Sequence, residues 1–145
     1  MIAVFDTNVL IPLILEASRS TRLFRRLRAS GHKVATSPEI LEEVREKMLT
    51  SSTLRKWLAL PDDEIVQFLE DLATICVVVP GLIGVHGVVV DDPDDDMILS
   101  AAVESRAEYI VSEDLHLLKL HEWQGIKIMN RDDFSAELDR LESEV

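Results

Sequence analysis

Asp6, Glu43, Asp95 and Asp114 are the residues of this 145-residue chain whose type and placement point to chemistry. Asp6 follows the apolar run Ile2-Ala3-Val4-Phe5, Asp95 leads into Met97-Ile98-Leu99, and Asp114 comes soon after Tyr109-Ile110-Val111. In an open α/β sheet the carboxyl ends of the strands meet in one crevice, where ligands bind. Acids delivered there from distant parts of the chain share a small volume. Two bare carboxylates about 4 Å apart repel by ~4 kcal/mol at an effective dielectric of ~20. A shared proton, a basic partner or a divalent cation must offset that repulsion. An oxygen-only ligand set of this kind suits Mg²⁺ or Mn²⁺.

The elements that would position these acids are readable from periodicity and caps. Residues 2–5 form a short buried strand, and Asn8 to about Glu16 reads as helical, with Pro12 in an early turn. Ser18 or Ser20 caps a helix to about Ala29, with Leu23, Phe24 and Leu27 inward, and Gly31 ends it. Lys33-Val34-Ala35-Thr36 is a second strand. Ser37 caps the next helix and Pro38 takes its first position. Helices follow at 53–59 and from Pro61 to about Ala73. Cys76–Val79 reads as a strand stopped by Pro80-Gly81, and Val88-Val89-Val90 as an edge strand or extended lead-in. Asp94 or Asp95 begins a helix carrying Ile98, Leu99, Ala102 and Val103. Tyr109–Val111 is a strand, Leu115–Leu120 a short helix, Ile126–Met129 the last strand, and Asn130 caps a helix over 132–142. Strands alternating with helices predict an α/β fold, a three-layer α/β/α sandwich around a parallel sheet of about five strands.

Composition sets the bounds. The length fits one domain over residues 1–145, and 47% hydrophobic residues exclude a disordered chain. The apolar runs are too short to span a bilayer, the start is unlike a signal peptide, and the one cysteine, Cys76, excludes an intrachain disulfide. A cytoplasmic location is the expectation. The net charge of −12 is unlike that of a nucleic-acid binder, yet residues 19–56 hold ten of the 15 Lys and Arg and only four of the 27 acids. Such a basic segment beside an acidic pocket suits a phosphate backbone next to a metal site, or is simply a solvated helix face.

Four segments in register resemble the motifs of PIN domains. Val4-Phe5-Asp6-Thr7-Asn8-Val9-Leu10 is similar to the opening strand motif, and Ser37-Pro38-Glu39-Ile40-Leu41-Glu42-Glu43-Val44 to the second. Asp92-Pro93-Asp94-Asp95-Asp96-Met97-Ile98-Leu99 resembles the third, and Tyr109-Ile110-Val111-Ser112-Glu113-Asp114-Leu115 the fourth. The closing Gly125–Met129 strand with Asp133-Phe134 also fits, and the resemblance is closest to small prokaryotic PIN proteins of toxin–antitoxin pairs. It implies an Mg²⁺- or Mn²⁺-dependent ribonuclease acting on RNA, a cognate antitoxin, a homodimer and no membrane partner. Asp6, Glu43, Asp95 and Asp114 are then catalytic and metal-binding, with Thr7, Asn8 and Ser112 positioning the first acid and the substrate. Where some members carry a further acid after Asp114, this chain has His116 or Leu117, and one ion or two remain open.

Each assignment has a plainer counterpart. Glu43 could be an ion pair with Lys47, one helical turn on. Asp114 could be an ordinary N-cap. Capping explains one or two acids of the run at 91, 92, 94, 95 and 96 but not five. Asp95 is the choice for the ligand because it shares a helical face with Leu99 and Ala102. Asp96 is the alternative, and Asp92 and Asp94 read as cap or loop acids. The four histidines show no ligand spacing and read as surface or packing residues. Trp57 and Trp123 could stack on bases, with partly buried packing as the plainer role. A PIN-like module that binds RNA or protein without cutting is the competing function. Phosphotransfer on Asp6 is disfavoured, because Asn8 stands where such phosphatases place a second Asp and Ser112-Glu113-Asp114 supplies no Lys for a receiver domain.

Overall fold

The computed structural model describes residues 1–89 and 92–144. Six strands form one sheet: β1 (Ile2–Phe5), β2 (Lys33–Thr36), β3 (Val77–Val78), β4 (Tyr109–Val111), β5 (Glu122–Trp123) and β6 (Ile126–Met129). Their order is β3-β2-β1-β4-β6-β5. All pairings are parallel except that of β5 with β6. The expectation of about five parallel strands therefore holds, and β5 is added as a two-residue antiparallel edge. Glu122-Trp123 is too short to show alternation, and only its pairing with Ile126-Lys127 makes it a strand.

Among the described residues eight helices surround or follow the sheet: α1 (Thr7–Leu10), α2 (Arg19–Ala29), α3 (Pro38–Thr50), α4 (Ser52–Leu58), α5 (Asp62–Ile75), α6 (Asp96–Ser105), α7 (Leu115–Leu118) and α8 (Arg131–Ser143). Single 3₁₀ turns lie at Ile11–Ile14 and Pro93–Asp95. The helix expected from Asn8 to Glu16 thus splits at Pro12, which lacks the N–H an α-helix would use there. Ser18 and Ser37 cap α2 and α3 by accepting from the Thr21 and Ile40 amides. Val88 and Val89 lie in a bend rather than a strand, while Val90 lies outside the described residues.

The middle of the sheet is the core. Ala3, Val4, Phe5, Ile110 and Val111 are fully buried, the continuous apolar pattern of strands covered on both faces. α6 crosses β1, β2 and β4, while α2 packs on β2 and against α8. No helix among the described residues is long and apolar enough to cross a membrane.

Candidate active site

The strand order reverses between β1 and β4. From β1 the sheet runs to β2 and β3 on one side, and from β4 to β6 and β5 on the other. The carboxyl ends of two such neighbouring parallel strands diverge into helices on opposite sides and leave a crevice. Asp6 is the first residue past β1 and Ser112 the first past β4. The Asp6 amide still donates to Val111 O at 2.9 Å, so the ladder fixes the two ends together.

A chain of short hydrogen bonds runs across that opening. Ser112 Oγ donates to Asp6 Oδ2 at 2.6 Å and accepts from the Asp114 amide at 2.9 Å. Asp6 Oδ1 accepts from the Thr7 amide at 2.7 Å, capping α1. Asp114 caps α7 by accepting from the His116 amide at 2.8 Å. The N-cap reading of Asp114 and its place in the crevice are thus both true. Asn8 Oδ1 accepts from the Glu113 amide at 3.2 Å, tying the start of α1 to the loop after β4.

α3 supplies Glu43 and Lys47 on one face, a helical turn apart. Lys47 Nζ lies 3.0 Å from Glu43 Oε1 and donates to Thr7 Oγ1 at 3.1 Å. The i,i+4 ion pair is therefore present, and it is also part of the site, because the ammonium reaches the residue after Asp6. Lys47 is the basic partner that repelling carboxylates require. Its only sequence signal was the spacing from Glu43.

Asp95 arrives from the 3₁₀ turn ahead of α6 and is 7% exposed. One ligand atom from each of Asp92, Asp95, Asp114 and His116 lies within 4.8 Å of the other three. Burial, then the hydrogen bond with Asp114 and the charges of Asp6, Asp114 and Asp92, push the Asp95 carboxyl up to about 9. Burial also works to raise Asp114, but the bond from Asp95, the His116 amide and the His116 charge outweigh it and hold it low. The two directions favour one proton shared by the pair, held more tightly on the Asp95 side. Asp6 is raised by burial, against the hydrogen bonds from Ser112 and Thr7 and the charge of Lys47. Glu43 is raised by burial against Lys47, with Asp6 and Asp94 adding repulsion.

These geometries separate the acids of the 91–96 run. Asp96 accepts from the Gly87 and Val89 amides at 2.8 and 2.9 Å, so both its oxygens are engaged in fastening the preceding loop. Asp94 is exposed and faces Glu43 only through its charge. Asp92, read from the sequence as a cap or loop acid, is drawn into the cluster instead. His116, read as a surface or packing residue, joins it as well. Asp91 lies outside the described residues. Asp6 sits outside the tight foursome but within reach of the charges of Asp95 and Asp114, whereas Glu43 lies farther out and feels Asp6, Asp94 and Lys47.

A divalent cation fits this donor set. Asp95 Oδ2 is buried without a hydrogen-bond partner, a state native proteins rarely leave uncompensated. The basic segment contributes less than its composition suggests. Arg19, Arg25, Arg26, Arg45, Lys47 and Arg55 already face carboxylates. Trp57, expected partly buried, is 57% exposed beside Lys56, while Trp123 is half-buried in β5.

The domain is an α/β sheet with acids gathered near its switch point, and the chain belongs to the PIN domain family. The family model for the PIN domain matches residues 3–116, which include all four acids. Among solved structures, the chain is similar to VapBC2 from Rickettsia felis bound to a DNA fragment from their promoter. The likeness has a TM-score of 0.61 at 14% identity and covers 90% of this chain and 98% of the other, which is a likeness of fold. No curated protein matches the chain.

Proposed function

We propose that this chain is a divalent-cation-dependent ribonuclease, the toxin of a toxin–antitoxin pair. One observation supports the reading: Asp95 and Asp114 lie together near the switch point of a PIN-family sheet, within reach of the charge of Asp6, with a buried Asp95 oxygen left without a hydrogen-bond partner. Asp95 and Asp114 would hold Mg²⁺ or Mn²⁺ with Asp6, and Glu43 would join directly or through water. A bound cation there neutralises developing charge on a phosphodiester and lowers the pKa of an attacking water.

The chain's own groups prepare that step. Ser112 fixes one oxygen of Asp6, and the Thr7 amide fixes the other, so the carboxylate cannot turn away. Asn8 holds the loop after β4 against α1. Lys47 balances Glu43 and Asp6 and presents an ammonium to an incoming phosphate. The exposed Trp57 offers a face for base stacking. The VapBC2 neighbour is a complex. By analogy a small antitoxin would cover the acidic crevice with a basic side chain, and two copies of the chain would pair.

The test is cleavage of fluorescently labelled RNA with Mg²⁺ or Mn²⁺ by the wild type, Asp6→Asn and the protein with Asp6, Glu43, Asp95 and Asp114 all replaced by Ala. Cation-dependent cutting that Asp6→Asn abolishes, with the fold intact, is the expected result. RNA bound but uncut by wild type would favour a non-catalytic RNA-binding module, and equal cutting by the quadruple variant would expose a contaminant.

A further inference from the structure

We propose that Asp92 and His116 bind the same cation as Asp95 and Asp114, giving this chain a mixed oxygen–nitrogen shell that prefers Mn²⁺ to Mg²⁺. The proposal rests on the cation-dependent reading above and adds to it two ligands and the choice of ion.

Unpaired atoms carry the case. Among the described residues, three buried side-chain polar atoms lack a hydrogen-bond partner: Thr36 Oγ1, Asp95 Oδ2 and His116 Nδ1. Two of the three belong to one cluster. Asp95 is 7% exposed, so its bare oxygen has no recourse to bulk water. An unsatisfied buried acceptor is costly, more so when charged, and one ion between these two atoms would satisfy both.

The spacing is that of ligands rather than of hydrogen bonds. His116 Nδ1 lies 3.6 Å from Asp114 Oδ1 and 3.9 Å from Asp92 Oδ2, both too long for a good hydrogen bond. Two donors each ~2.1 Å from one ion are ~3.0 Å apart when adjacent and ~4.2 Å when opposite. All four atoms lie within 4.8 Å of one another, and as adjacent ligands His116 Nδ1 would close by ~0.6 Å on Asp114 Oδ1 and by ~0.9 Å on Asp92 Oδ2.

Backbone bonds hold these residues in place. The His116 amide is locked to Asp114 by the α7 cap, and the Asp95 amide donates to Asp92 O at 3.0 Å within the 3₁₀ turn. The ligands thus come from two short hydrogen-bonded turns. An imidazole nitrogen favours transition ions, whereas Mg²⁺ prefers oxygen and keeps its waters.

The experiment uses the full chain and Mn²⁺ alone. Electron paramagnetic resonance of free Mn²⁺ gives the affinity, spin-echo modulation reports nitrogen bound to the ion, and Mg²⁺ competition gives the preference. Wild type should show a nitrogen coupling that His116→Gln loses and His121→Gln keeps. Losing a direct ligand should cost at least the ~10-fold in affinity that outer partners cost. Asp92→Asn should therefore weaken Mn²⁺ by that much, and His116→Gln should cut the Mn²⁺ preference comparably. Tight Mn²⁺ binding by wild type without nitrogen coupling, or a coupling that survives His116→Gln, overturns this proposal and leaves the cation-dependent reading standing. No saturable Mn²⁺ binding by wild type overturns both.

Discussion

Replacing Asp95 with Asn should stabilise the cation-free protein at pH 7.5 and leave it unchanged at pH 4.5. In the native state the Asp95 carboxyl keeps its proton to about pH 9. In the unfolded chain it loses that proton near ~3.9. Between those values the native state binds one more proton than the unfolded state. Its stability is therefore full below pH ~4 and falls by up to ~1.4 kcal/mol per pH unit until about pH 9. Full linkage would remove ~5 kcal/mol by pH 7.5. Water entry into an open acidic crevice reduces this, and ~2 kcal/mol is the expected difference. Asn supplies an N–H where the protonated carboxyl supplied an O–H, so Asp114 keeps its donor. Stability from the lowered Asp114 is present above pH ~4 in both proteins and largely cancels. Urea unfolding in EDTA at pH 4.5, 6.0 and 7.5 measures the effect. An Asn variant no more stable than wild type at pH 7.5, or an advantage independent of pH, would refute the shared proton. Excess Mg²⁺ or Mn²⁺ should reverse the order, since a ligand at 100 times its Kd adds ~2.7 kcal/mol to the protein that binds it.

Three further outcomes are expected. Ser112→Ala removes the donor to Asp6 Oδ2 and the acceptor of the Asp114 amide. It should cost ~2 kcal/mol in urea unfolding and, by raising the Asp6 carboxyl further, move the acid limb of any cleavage profile to higher pH. Asp96→Ala frees the Gly87 and Val89 amides, so hydrogen exchange there should accelerate while the amides of β1 and β4 stay protected. Ile110→Ala, in the fully buried centre of β4, should cost ~3–4 kcal/mol by thermal or urea unfolding, the range of cavity-forming core truncations.

Much of the fold was legible because it rests on local signals. The caps Ser18, Ser37 and Asn130 stand where their side chains accept from amides three residues on. The buried strands at 2–5, 33–36, 109–111 and 126–129 show as apolar runs between turn residues. β5 was not legible, since two residues carry no period and only the partner strand defines them. Nor was the break of the first helix, which depends on Pro12 and on packing after it.

The sequence by itself determined which acids exist and that a βα alternation would carry them to strand ends, because periodicity, caps and motif spacing are properties of neighbouring residues. Only the tertiary structure decided how the acids divide their work. Asp95 and Asp96 are adjacent and chemically identical, yet one faces Asp114 and the other fastens a loop. Asp92 and His116, 24 positions apart, become neighbours because α6 packs across β1 and β4, which sets the turn ahead of α6 beside the start of α7. Proximity between groups far apart in the chain is set by where the backbone hydrogen bonds close, and no local pattern encodes that distance.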